Sequence, residues 1–191
     1  MRIHLVVILV LTVLTTLPGI SSAEPAADEY WPQWRGPTAT GVAPNSNPPA
    51  EWGPDKNIAW KVEIPVKGYA SPIVWKDTIY ILSAVPTVDP IEIPEPAEGE
   101  DGERRRRNIV PTQKQQFTIM ALSRADGSVL WKKVLREEVP HEGTHQTATW
   151  ASNSPITDGE HIFAYFGSRG LYCLDMEGNL IWEKDLGDMQ T

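Results

Sequence analysis

The chain has 191 residues and a formal net charge of −8 at pH 7. This acidic balance argues against nucleic acid and anionic membranes as partners, because both carry negative charge. The single cysteine, Cys173, excludes an internal disulfide. Eight tryptophans and seventeen prolines favour a protein rich in β-structure and turns.

Residues 1–23 have the pattern of a secretory signal sequence. Arg2 and His4 precede an apolar run, 5–14, and the segment ends in small residues at Ala23. The run is shorter than the roughly 20 residues that span a bilayer. We therefore expect cleavage after Ala23 and export to the periplasm or cell surface, with no integral membrane segment afterwards. An uncleaved anchor is the alternative.

An irregular segment, 24–56, is followed by a repeat that we assign to 57–191. Each copy of the repeat carries a tryptophan, and in the last two copies a turn ending in glycine precedes it. Glycine suits such turns because positive φ costs it little. We assign these residues a structural role and not a catalytic one. The repeat is marked by Trp60, Gly127, Trp131, Gly178 and Trp182.

A second match, between the Ser-Pro-Ile sequences at 71–73 and 154–156, completes a unit of four short strands. Four-stranded units repeated around an axis are the propeller design. We therefore predict an all-β fold, a partial β-propeller with about two four-stranded antiparallel blades and, around Trp60, the last strand of a third. The predicted strands are 69–75, 78–84, 117–123 and 128–135, then 153–158, 161–166, 170–175 and 179–186.

Two insertions, 85–116 and 136–149, lengthen the predicted units. The connections of an antiparallel meander alternate between its two ends, and both insertions leave from the same end, which we call the loop-rich face. The opposite plain end has only tight turns. Elaborated loops on a rigid scaffold are where binding usually resides. The first insertion contains four arginines, 104–107, among acidic residues, and we interpret it as a solvated or a partner-docking loop.

His141-Glu-Gly-Thr-His145 matches the letters of the zinc-protease pattern, which requires a helix to bring both histidines onto one face. Pro140 and Gly143 disfavour that helix, so we predict no metal site and no catalytic residue here. As possible contacts for a partner or small ligand on the loop-rich face we name His141, His145 and Arg169. The alternative is a solvated loop with no site.

The glycine-to-tryptophan endings of the repeat resemble those of quinoprotein-type propellers. The opening Trp31-Pro-Gln-Trp-Arg-Gly-Pro37 is similar to the start of secreted PQQ-like repeat proteins of planctomycete type. The family includes dehydrogenases that use pyrroloquinoline quinone (PQQ) and the non-catalytic propeller lipoprotein of the outer-membrane β-barrel assembly machinery. Because such propellers usually have eight blades, the resemblance implies that this chain is an N-terminal fragment.

The resemblance leaves several functions open. The first hypothesis is a non-catalytic exported scaffold, with no cofactor, that binds a protein or small ligand through the loop-rich face. It is favoured because Cys173 lacks the adjacent cysteine that PQQ dehydrogenases usually have. The alternative is a PQQ-dependent oxidoreductase whose cofactor site lies in further blades. A third hypothesis is a structural module of a cell-surface assembly.

Overall fold

The computed structural model describes residues 30–65, 68–90 and 108–187. The predicted signal sequence and the four-arginine run lie outside these ranges. Within the described ranges the strands, in chain order, are β1 (Ile73–Trp75), β2 (Thr78–Pro90), β3 (Asn108–Ile109), β4 (Gln113–Ser123), β5 (Val129–Glu138), β6 (Thr144–His145), β7 (Ile156–Thr157), β8 (His161–Tyr165), β9 (Leu171–Asp175) and β10 (Leu180–Lys184).

Two four-stranded antiparallel sheets make up the fold. The first sheet has the order β1-β2-β4-β5, the second has the order β7-β8-β9-β10, and β3 pairs with β6 separately. The one helical element in the described residues is a 3-10 turn, Gly167–Arg169. The all-β prediction is therefore confirmed.

The two sheets share their strand register, as expected for copies of one repeat. In each sheet the isoleucine of the Ser-Pro-Ile sequence faces an aromatic residue of the next strand, and the repeat tryptophan faces a small residue of the third strand. The corresponding pairs are Ile73–Tyr80 with Ile156–Phe163, and Ala121–Trp131 with Cys173–Trp182.

Several predicted strands and boundaries need correction. β1 and β7 are shorter than predicted, and no strand forms around Trp60, since the structure places no partner strand beside it. β2 and β4 continue past residue 84 and before residue 117, pairing Val85 with Gln116 and Pro86 with Gln115. These residues were assigned to the insertion 85–116 because the unit is longer than its repeat requires, although prolines at 86 and 90 cannot donate to a ladder. A register shift between Pro86 and Pro90 accommodates them.

The hydrophobic core draws on both sheets. The middle of β4, from Phe117 to Leu122, is buried continuously, as in a strand covered on both faces. The Phe117 ring lies 5.4 Å from that of Phe166 after β8, in an edge-to-face arrangement. Full burial of an aliphatic or aromatic side chain stabilises the fold by roughly 1.5–3 kcal/mol, so this contact between sheets fixes them together.

The N-terminal segment joins the edge strands of the two sheets. Trp31 exchanges two backbone hydrogen bonds with Val74 of β1, at 2.9 and 2.8 Å, and the Pro32 carbonyl accepts a hydrogen bond from the Thr157 amide of β7 at 2.9 Å. The Tyr30 ring lies 4.9 Å from the Trp75 ring. This segment therefore links the two edges that β1 and β7 form, which we call the inner edges of the sheets, without forming a strand itself.

Tryptophan rings lie directly on the glycine turns of the plain end. A Cβ atom added at Gly127 would lie 2.5 Å from Cε3 of Trp60. One at Gly178 would lie 3.0 Å from the Trp131 ring, and one at Gly159 would lie 2.4 Å from Cζ2 of Trp75. The contacts at Gly127 and Gly159 leave no room for a Cβ, the contact at Gly178 would require the ring to shift slightly, and each of the three glycines also has a positive φ. By contrast, Trp182 is 43% exposed.

Candidate functional site

The two insertions meet on the loop-rich face. β3 comes from the first insertion and β6 from the second, and their pairing joins Asn108 to His145 and Ile109 to Thr144. This contact agrees with the prediction, made from connectivity, that both insertions leave from one end. Together with the long β2–β4 hairpin, the paired insertions surround a cavity of about 520 Å³, which we call the insertion cavity.

The insertion cavity combines aromatic, amide and hydroxyl side chains. Gln115 is only 4% exposed. The described lining of the insertion cavity consists of Tyr69, Ala84, Pro86, Ile109, Val110, Thr112, Gln113, Gln115, Thr144, Gln146, Ala148, Thr149 and Trp150.

The Trp150 ring in this wall is held in place by a chain of hydrogen bonds. Its indole Nε1 donates to the Glu142 carbonyl at 2.9 Å. The Glu142 carboxylate in turn accepts from the Ser168 hydroxyl at 2.8 and 3.1 Å. Ser168 is 2% exposed and belongs to the 3-10 turn. The second sheet therefore orients a side chain of the cavity wall.

A second, more open cavity of about 460 Å³ lies along the inner edges of the two sheets, and we call it the inner groove. Its two sides are tied by a 3.0 Å hydrogen bond from the Ser71 amide to the Ser154 hydroxyl. Tyr69, 51% exposed, lines both this groove and the insertion cavity. The described lining is Gln33, Trp34, Tyr69, Ser71, Ser152, Asn153, Ser154, Ile156, Phe163, Tyr165 and Leu171.

A further cavity of about 560 Å³ lies away from the loop-rich face, between the N-terminal segment and the first sheet. Its wall includes Trp31, Val74 and Arg124 together with residues 43–46. Arg124 belongs to the turn between β4 and β5, so this cavity is part of the plain end. The structure brings no predicted contact residue to it.

Arg169 lies beneath the loop-rich face and not on it. Its side chain is 6% exposed, and its Nη1 lies 3.1 Å from the Glu138 carboxylate. Its Nη2 donates to the Val139 carbonyl. A buried charge needs such partners, so this guanidinium anchors the start of the second insertion to the 3-10 turn. It is not positioned to meet a partner directly.

The histidines of the His-x-x-x-His sequence do lie at the surface. His141 and His145 are both exposed. His145 sits in β6, and its Nδ1 pairs with the Thr147 hydroxyl at 2.9 Å. The segment is extended where a zinc protease needs a helix, and in the described ranges no three histidine, cysteine or acidic side chains group as metal ligands. Whether either histidine contacts a partner stays a prediction.

Cys173 is buried in β9. Burial raises the pKa of its thiol, and the negative charge of Asp158 acts in the same direction. A thiol with a raised pKa stays protonated near neutral pH and is a poor nucleophile. Burial likewise raises the pKa of the Tyr172 hydroxyl, which donates to the Arg169 carbonyl at 2.7 Å. These groups serve packing and orientation.

The described walls of the insertion cavity and of the inner groove do not fit PQQ, the cofactor that the family resemblance implies. PQQ is a tricarboxylate and needs cationic side chains around it when it leaves water. The described residues that line the insertion cavity and the inner groove include no lysine or arginine. No step of a quinone reaction is therefore derived for this part of the chain.

Sequence reasoning missed the most enclosed part of the site. Gln113 and Gln115 were assigned to a loop insertion, whereas they begin β4. No short motif marks them, and only the continuation of the strand pattern toward Phe117 could have found them. The contact of Trp150 with the Glu142 carbonyl likewise depends on residues that carry no local signal.

Comparison with known proteins adds no family assignment. No protein-family model matches the chain, and no curated protein matches it. None of the described residues forms a helix long and apolar enough to cross a membrane.

Proposed function

We propose that this chain is part of an exported, non-catalytic β-propeller scaffold that binds a protein or a small ligand through its loop-rich face. In this proposal the two four-stranded sheets are successive blades. Their common register and their shared core support that assignment. The plain end is the structural side, and the paired insertions form the binding side.

The observation that carries the proposal is the pairing of the two insertions. Insertions that serve only as spacers have no reason to form a ladder with each other, yet β3 and β6 do so above a cavity. A cavity of about 520 Å³ lies within the range of small-molecule sites, roughly 300–1,000 Å³. The pairing fixes the wall of this cavity and so favours a preformed site.

The state of the side chains that could take part in a reaction favours a binding role over catalysis. Arg169 and Glu142 are used in internal hydrogen bonds and ion pairs, and Cys173 is buried with a raised thiol pKa. The exposed groups around the cavities are aromatic rings, amides and hydroxyls, which recognise ligands but do not activate them.

The test is capture of binding partners from cell-envelope extract by the full chain and by variants of the loop-rich face. Tyr69→Ala and Ile109→Glu change side chains that are 51% and 46% exposed, and Trp52→Ala, 71% exposed and outside both cavities, is the matched control. We expect partners held by the wild type and the control to be lost from both face variants.

Two results would contradict the proposal. The first is capture that neither face variant reduces, which would remove the loop-rich face as the binding surface. The second is dye-linked oxidation of alcohols or sugars after addition of PQQ and calcium, which would favour the oxidoreductase. Both assays use the same protein preparations. Circular dichroism of each preparation first shows whether the variant is folded.

A further inference from the structure

The insertion cavity and the inner groove share an uncommon composition. Charged residues make up 22% of the chain, yet none of the described residues lining either cavity is charged. Both cavities are instead lined by aromatic rings interspersed with amides and hydroxyls. The aromatic members are Trp34, Tyr69, Trp150, Phe163 and Tyr165.

This composition selects against ionic ligands. An anion or cation that leaves water must find an opposite charge or several strong hydrogen bonds, and otherwise its burial is unfavourable. A purely apolar ligand would leave amides such as that of Gln115 without partners. The ligand that matches both features is neutral, carries many hydroxyl groups, and has an apolar face that can lie on an aromatic ring.

We propose that the loop-rich face binds an uncharged saccharide chain that extends from the insertion cavity into the inner groove past Tyr69. Sugar rings offer C–H faces to aromatic side chains and hydroxyls to amides. Because Tyr69 lines both cavities, a ligand of several sugar units contacts both at once. The inference rests on the proposed function, since it names the ligand class of that same face.

Gln115 provides the independent observation that points to a ligand. Its side chain lines the insertion cavity and is 96% buried, being only 4% exposed. A sugar hydroxyl in the cavity can both donate to the oxygen of this amide and accept from its nitrogen.

Trp150 supplies a fixed surface for the ligand. The hydrogen bond from its indole Nε1 to the Glu142 carbonyl, at 2.9 Å, fixes one edge of the ring. A ring held in this way loses little conformational freedom when a ligand stacks on it. Tyr69, in contrast, is half-exposed and reaches the solvent side of both cavities.

The test is titration of the full chain with neutral hexasaccharides of glucose, xylose, mannose and N-acetylglucosamine, with hexagalacturonate as the charged comparison. Binding is followed by calorimetry and by intrinsic tryptophan fluorescence. We expect at least one neutral hexasaccharide to bind, its disaccharide to bind at least about tenfold more weakly, and hexagalacturonate not to compete.

Two variants locate the binding. Tyr69→Ala is expected to weaken binding by about tenfold or more, and Trp52→Ala to leave it unchanged. Gln115→Leu is expected to weaken binding about tenfold, the effect of one or two lost hydrogen bonds. Because the replaced amide lines a cavity, the thermal midpoint of Gln115→Leu should stay the same or rise. A merely structural glutamine would lower it.

The inference is overturned if no neutral hexasaccharide binds, if hexagalacturonate binds equally well, or if Tyr69→Ala and Gln115→Leu bind as the wild type does. Its failure is distinguishable from that of the proposed function. If Tyr69→Ala loses partner capture but no saccharide binds, the loop-rich face is still the binding surface and its ligand is a protein. If no face variant reduces partner capture, both the proposed function and the saccharide inference are wrong.

Discussion

The two ends of the molecule are built in opposite ways. At the plain end, tryptophan rings lie so close to glycines 127 and 159 that a methyl group does not fit, and a third ring leaves only 3.0 Å at Gly178. At the loop-rich face the strands continue into paired insertions around a cavity of about 520 Å³, and a buried glutamine faces that cavity. Tight packing and open space are separated along the same strands.

This separation divides stability from binding. Close-packed contacts lose stability when one atom is added or removed, whereas a preformed cavity keeps polar groups that folding alone does not satisfy. Residues selected for a site are often not optimal for stability. The comparison therefore predicts that substitutions at the plain end change unfolding more than binding, and that those at the loop-rich face do the reverse.

The largest effect is expected from Gly127→Ala. Its φ is +74°, and the new Cβ would meet Cε3 of Trp60 at 2.5 Å. Positive φ costs an alanine roughly 1–2 kcal/mol, and displacing a packed ring adds roughly 1–3 kcal/mol. The displaced ring also loses the 3.0 Å hydrogen bond from its Nε1 to the Arg124 carbonyl. We expect the free energy of unfolding, measured in urea, to fall by about 2–5 kcal/mol.

Gly41→Ala is the matched control. Its φ is +79°, but nothing lies within 4 Å of the added Cβ, so only the backbone term of about 1 kcal/mol applies. The difference between the two variants isolates the tryptophan contact. Equal losses in both would mean that the Trp60 ring moves aside freely and that the plain end is not tightly packed.

A smaller effect is expected from Arg169→Lys, beneath the loop-rich face. Lysine cannot reach both Glu138 and the Val139 carbonyl as the guanidinium fork does. Since Arg169 is buried but Glu138 is 43% exposed, we expect a loss of about 2 kcal/mol, below the 3–5 kcal/mol of a fully buried pair. Hydrogen exchange should quicken at the β3–β6 pairing and stay unchanged at Ser128 on the plain end.

Arg136→Lys serves as the comparison for this substitution. Arg136 also pairs with Glu138, but its side chain is 30% exposed, so its loss should stay below about 1 kcal/mol. If Arg136→Lys opens the β3–β6 pairing as much as Arg169→Lys does, burial is not what makes Arg169 the anchor of the second insertion.

The same division explains how far the sequence could be interpreted. The plain end was predictable because glycine turns and strand alternation are local signals, and the register of Ile73 and Ile156 follows from them. The loop-rich face was not. The pairing of Ile109 with Thr144 joins residues far apart in the chain and has no periodicity. The contact of Trp31 with Val74 is equally long-range.

Side-chain burial was also beyond local patterns. Arg169 was named as a possible contact on the loop-rich face because it is a positive residue near the loops, yet the 3-10 turn places it beneath the second insertion. Gln115 was assigned to a loop because it falls within the insertion 85–116, which has no counterpart in the second unit. Only the tertiary fold decides that such polar residues are covered.

The smallest effect concerns the aspartates that close the plain-end turns. The Asn179 side-chain amide, at 2.8 Å, and its backbone amide, at 2.7 Å, hold the pKa of Asp175 below its usual value of 3.8. Because the pKa is lower in the folded state, the carboxylate stabilises the fold above about pH 4 and loses this effect as the pH falls through the folded pKa. Asp175→Asn removes that charge. We therefore expect the wild type to have a slightly higher melting temperature than Asp175→Asn at pH 6, with the difference closing by pH 3 in scanning calorimetry.

A difference in melting temperature that stays constant over this range would mean that hydrogen-bond geometry, and not the charge, makes the turn stable. The plain end would then depend on packing and backbone shape alone.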